Sequence, residues 1–89
     1  MHEYPHDRTE LRRSIGFKNF RSAMRFMNEA TEIFVRMCHH PRWGNEWRIV
    51  HIRLTTWDTR NKITDEDIEV AKAVDELVNK HRAQGFVVT

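Results

Sequence analysis

Leu11, Arg13, Ile15 and Phe17 alternate with Arg12, Ser14, Gly16 and Lys18. Alternation with period two predicts a strand with one mostly apolar face. At Asn19 the period changes. Phe20, Ala23, Met24, Met27, Ala30, Ile33 or Phe34, and Met37 recur at helical steps, the buried stripe of a helix of about five turns. Asn19 suits the N-cap, because its side-chain oxygen can accept a free backbone N–H of the first turn. The helix must end near His39, since Pro41 drives His40 out of the α region. Core packing accounts for the methionines in the stripe, whose flexible side chains fill irregular gaps.

Residues 46–56, EWRIVHIRLTT, carry the strongest strand pattern, with Val50, Ile52 and Leu54 on one face and Ile49, His51, Arg53 and Thr55 on the other. TWDTRNK then turns the chain. Thr64 begins a second helix, and Asp67 stands where a side chain can answer back to the Thr64 backbone. Ile68, Ala71, Val74, Leu77 or Val78, and His81 follow on one face, and Gly85 ends the helix before an apolar tail, FVVT. Pro5 discourages a helix in the opening residues, so 1–10 are expected to be irregular and 82–89 to form a C-terminal tail. The whole chain, 1–89, reads as a single α+β domain: a small antiparallel sheet of four short strands with helices packed on one face. An open sheet edge and an uncovered sheet face favour self-association into a dimer or tetramer.

Composition narrows the setting. No apolar run approaches the roughly 18 residues of a membrane span. The polar start MHEYPHDRTE lacks the apolar stretch of a secretion signal. Cys38 is the single cysteine, which excludes an internal disulfide and a cysteine-rich zinc site. A cytoplasmic protein with no membrane association is expected. Fifteen basic residues nearly match thirteen acidic ones. Arg12, Arg13, Arg21, Arg25 and Arg36 are spread through the first half and Asp65, Glu66, Asp67 and Glu69 cluster later. A nucleic-acid interface concentrates its cations on one face, so no nucleic-acid partner is expected from this dispersed pattern.

The chemistry concentrates in CHHPRW, residues 38–43. Adjacent side chains diverge, so His39 and His40 do not form a ready ligand pair, and no HExxH spacing is present; no metal is expected. A histidine in the last helical turn also interacts well with the negative helix end, which would account for His39 alone. Acid–base chemistry accounts for more. Imidazole exchanges protons near neutrality, and a helix end followed by proline would fix two of them toward one substrate. Trp43, Trp47 and Trp57 offer aromatic surface suited to a flat heterocycle, although core filling explains at least one of them.

FKNF at 17–20, FM at 26–27, HHPRW at 39–43, Asn45 with Trp47, IRLTTWD at 52–58 and ITDEDIEVAKAVDEL at 63–77 together resemble pterin-4a-carbinolamine dehydratases, over roughly residues 11–81. The most specific part is a spaced set: His39-His40-Pro41, an aromatic at Trp47, a His-or-Trp position at Trp57, and Asp67. The resemblance implies dehydration of 4a-hydroxytetrahydropterin to quinonoid dihydropterin in tetrahydropterin recycling, with no metal and no redox cofactor. It implies His39 as the main acid–base group and His40 as the group that binds and orients the pterin. Pro41, Trp43, Trp47, Trp57 and Asp67 would line the substrate site; Asp67 also reads locally as a helix cap. The chain departs from the family pattern at Val35, where an acidic or other polar residue is usual. It also departs in having only ten residues before Leu11, which leaves out the N-terminal helix that commonly precedes the first strand. A second class of function, a non-catalytic protein-binding or assembly factor, is compatible with the same fold.

Overall fold

The computed structural model describes residues 11–54 and 64–89. The expected irregular N-terminus, the TWDTRNK turn and Trp57 lie outside the described residues. Three strands and two helices follow in the order β1 (Leu11–Gly16), α1 (Phe20–Arg36), β2 (Arg42–Glu46), β3 (Ile49–Leu54) and α2 (Asp65–Ala83). The sheet is antiparallel with order β1-β3-β2, an α+β arrangement as expected.

Register assigns the faces. Ile15 opposes Val50, Leu11 opposes Leu54 and Trp43 opposes Ile52, and these residues meet the helices. The other face carries the rows Arg12–Arg53–Arg42 and Ser14–His51–Gly44. Ile15, Phe17, Ala23, Phe26, Ala30, Phe34, Val50, Ile52, Val70, Val74 and Val78 form the centre of the core. Burying one such aliphatic or aromatic side chain stabilises the fold by about 1.5–3 kcal/mol.

Four details depart from the sequence reading. The strand expected over 46–56 starts at Ile49, because Trp47 and Arg48 form the tip of a hairpin whose first arm, β2, the pattern did not reveal. β2 is a sheet edge, so its alternation is polar except for Trp43, and period two is hard to see there. Among the described residues a single bridge, Phe17 with Val87, stands where a fourth strand is expected. The FVVT tail therefore docks within its own chain: the Lys18 N–H donates to Phe86 O and the Val88 N–H to Gly16 O, at 2.9 and 2.8 Å. The helical stripes are also rotated. Phe20 is half-exposed while Phe26 is fully buried, and on α2 the buried series is Asp67, Val70, Val74, Val78, His81 in place of one starting at Ile68. An aspartate thus occupies an inward position that a hydrophobicity pattern assigns to solvent, while Val74, Val78 and His81 are buried as expected.

Candidate functional site

Both helix ends that build the site follow from local sequence. At the end of α1 the His39 N–H donates to Phe34 O at 3.0 Å and the Cys38 N–H to Val35 O at 3.2 Å, the paired bonds of a Schellman motif. That motif needs a left-handed residue, and Cys38 takes the role with φ 53°. The same motif closes α2, with Gly85 at φ 87° and the Phe86 N–H on His81 O. Glycine adopts this backbone without cost; cysteine does not. The reversal at Cys38 turns His39 back under the helix, where it is 8% exposed, while His40 is left on the surface ahead of Pro41.

Asp67 arrives from the start of α2. Asn19 caps α1 through its side chain, 2.8 Å from the Ser22 N–H, and Thr64 precedes α2 in the equivalent place. Here the return half of the capping box carries the geometry: the Thr64 N–H donates to Asp67 Oδ2 at 2.9 Å. This fixes the carboxylate and aims its other oxygen inward. Oδ1 meets His39 Nε2 at 2.6 Å, in a pair where Asp67 is fully buried.

The pairing specifies the imidazole. Both Asp67 oxygens act as acceptors, so Nε2 carries the proton in the shared bond. Nδ1 is then the nitrogen left for chemistry, and Glu66 Oε1 stands 3.9 Å from it. His39 opens onto a cleft of about 310 Å³ lined also by Met37, Asp65, Glu66, Glu69 and Val70. Its floor is apolar and its rim is acidic. A histidine that lines a cleft, with one nitrogen held by a buried carboxylate, can donate or accept one proton at the other.

Of the residues singled out from the sequence, His39 and Asp67 are brought into direct contact. Trp43 packs its ring edge-on against Phe34 at 4.9 Å between centroids and serves as the margin of the core. Trp47 stands on the hairpin tip, 71% exposed at φ 56°, with the Arg48 guanidinium over its ring. Within the described residues the cleft beside His39 is lined by neither Trp47, Trp43, Pro41 nor His40. Glu66 was missed by sequence reasoning; its place next to Asp67, in the first turn of a helix already read as capped, was the available signal.

Known proteins resemble this chain in sequence and in fold. The family profile described as "Pterin 4 alpha carbinolamine dehydratase" matches residues 2–77, a span that takes in every motif quoted above. A protein of Rhizobium rhizogenes named "Putative pterin-4-alpha-carbinolamine dehydratase" is 41% identical over 69 residues, covering 78% of this chain and 67% of its own. One of the same name from Prochlorococcus marinus is 37% identical, covering 82% and 76%. A solved structure, "transcriptional coactivator/pterin dehydratase from Brucella Melitensis", superposes with a TM-score of 0.72 at 33% identity, covering 79% of this chain and 73% of that one.

Proposed function

This chain belongs to the pterin-4a-carbinolamine dehydratase family, and on that premise we propose that it dehydrates 4a-hydroxytetrahydropterin to quinonoid dihydropterin by histidine acid–base catalysis. The observation that carries the proposal is the buried His39–Asp67 pair at the mouth of the acidic cleft. The reaction breaks the C4a–O bond and forms C4a=N5. One proton is given to the departing hydroxyl and one is lost from N5, with no net oxidation. His39, held through Nε2 by Asp67, presents Nδ1 to the leaving hydroxyl and supplies the first proton. Asp67 sets the tautomer and direction of the ring and is a positioning residue. His40, on the surface beside it, binds and orients the pterin, and Pro41, Trp43, Trp47 and Trp57 belong to the wider substrate surface. Recycling of tetrahydropterin in the cytoplasm is the setting this activity serves.

The test is a stopped-flow assay of carbinolamine dehydration with purified protein. Acceleration over the spontaneous reaction supports the proposal and its absence refutes it.

A second reading has its own support. The Brucella protein is described as a "transcriptional coactivator/pterin dehydratase", and β1 and β2 are the outer strands of the described sheet. We infer that this chain self-associates through a sheet edge and that the same surface admits a protein partner. A sedimentation experiment returning a stable monomer at micromolar concentration would remove the self-association.

A further inference from the structure

Dehydration needs two proton transfers, and the His39 pair accounts for one. Among the described groups around His39, the charged neighbours are Asp67 on Nε2, Glu66 near Nδ1, and Asp65 and Glu69 farther round the rim; Met37 and Val70 complete the wall. Asp67 is fully buried and occupied by His39 and the Thr64 N–H, so it cannot take a proton from substrate. Glu69 stands within 3.5 Å of Lys72. Glu66 is different: its side chain is mostly exposed, its Oε1 lies 3.9 Å from His39 Nδ1, and both residues line the cleft.

We propose that Glu66 is the second catalytic residue of the dehydration, the base that takes the N5 proton while His39 acts as the acid. This rests on the dehydratase reading given above. In the reactive state His39 is an imidazolium, with the Nε2 proton on Asp67 and the Nδ1 proton directed at the 4a-hydroxyl; Glu66 is a carboxylate. The Nδ1 proton passes to the hydroxyl oxygen, the C4a–O bond breaks, and water leaves. The N5–H electron pair forms C4a=N5 as Glu66 takes that proton. His39 is then neutral and Glu66 protonated, so charge and protons balance.

The 3.9 Å gap gives the return path. A small side-chain movement brings Oε1 within hydrogen-bond distance of Nδ1, and the Glu66 proton passes to the imidazole. Both groups are restored without a proton from bulk solvent.

The test compares Glu66→Gln, Glu66→Asp and Glu76→Gln by stopped-flow dehydration across pH. Glu76→Gln makes the same charge change on an exposed part of α2 outside the cleft and serves as the control. Glu66→Gln is expected to lower kcat at least tenfold with little change in KM, within the range for loss of a general base. The shape of its pH–rate profile should also change, whereas that of Glu76→Gln should match wild type. Glu66→Asp should recover part of kcat and the wild-type shape of the profile. Wild-type kcat and an unchanged profile in folded Glu66→Gln would overturn the role of Glu66 alone. A wild type with no acceleration would overturn the dehydratase reading and this role with it.

Discussion

Replacing Asp67 with asparagine tests the site and the fold at once. The carboxylate serves two donors with two oxygens: His39 Nε2 at 2.6 Å and the Thr64 N–H at 2.9 Å. Asparagine has one acceptor oxygen, so one donor must face an amide N–H₂. If the oxygen stays on Thr64, the amide forces Nε2 of His39 to become an acceptor and moves the proton to Nδ1. If it stays on His39, the helix cap is lost. Losing a buried hydrogen bond to a charged group costs about 1.5–3 kcal/mol, and losing a cap about 1. Since asparagine keeps one of the two, the expected loss is about 1–3 kcal/mol. In a domain of this size each kcal/mol lowers Tm by about 4–8 °C, so thermal denaturation followed by circular dichroism should register a drop of roughly 5–20 °C. Dehydration should slow by about 10²–10⁴-fold as the ring loses its orientation and charge partner. Asp67→Asn with an unchanged Tm and an unchanged rate would refute the pairing as described.

Other consequences are open to direct measurement. Cys38→Gly should raise stability by about 0.5–1 kcal/mol, because glycine accepts the left-handed backbone and its greater unfolded-state freedom returns only part of the gain; equal or lower Tm would contradict the strain at φ 53°. Burial works to raise the Glu29 pKa, but hydrogen bonds and charge from Lys80 and His81 outweigh it and hold the carboxyl below its ordinary value of 4.5. A lowered folded pKa stabilises above the unfolded value and is lost as pH falls through the folded one. Glu29→Gln should therefore flatten stability against pH below about 4.5 in urea titrations, and an unchanged acid slope would refute the contribution. Phe26→Ala, at a fully buried position packed on Phe17 with centroids 5.0 Å apart, should cost about 3–5 kcal/mol, whereas Phe20→Ala should cost far less by the same urea titration.

The parts of this fold that were legible from sequence are those where one signal had one physical cause. Asn19 and Thr64 marked the two helix starts because an orphaned N–H demands an acceptor. Gly85 marked the end of α2 because the cap needs a left-handed residue. The end of α1 uses the same motif but places cysteine there, so it could be located only indirectly, from Pro41. Asp67 carried two signals: its spacing from Thr64 announced a cap, and the motif spacing placed it in the site. The cap is formed through Oδ2, and Oδ1 meets His39. The face of α2 was misjudged for the same reason. A hydrophobic count treats Asp67 as exposed, whereas it is fully buried against His39; His81, read on the apolar face, is indeed buried, among the Phe17, Phe26 and Phe86 rings. The contact between His39 and Glu66 was beyond sequence reasoning, because it depends on how two helix ends meet in space.

The central claim is that His39, fixed by Asp67, performs acid–base chemistry on a pterin carbinolamine. It is tested most directly by stopped-flow dehydration of 4a-hydroxytetrahydropterin with wild type and with His39→Ala shown by circular dichroism to be folded. The account predicts clear acceleration by wild type and a fall of about 10²–10⁴-fold in the variant. A wild type no faster than the spontaneous reaction, or a folded His39→Ala that matches wild type, would contradict it.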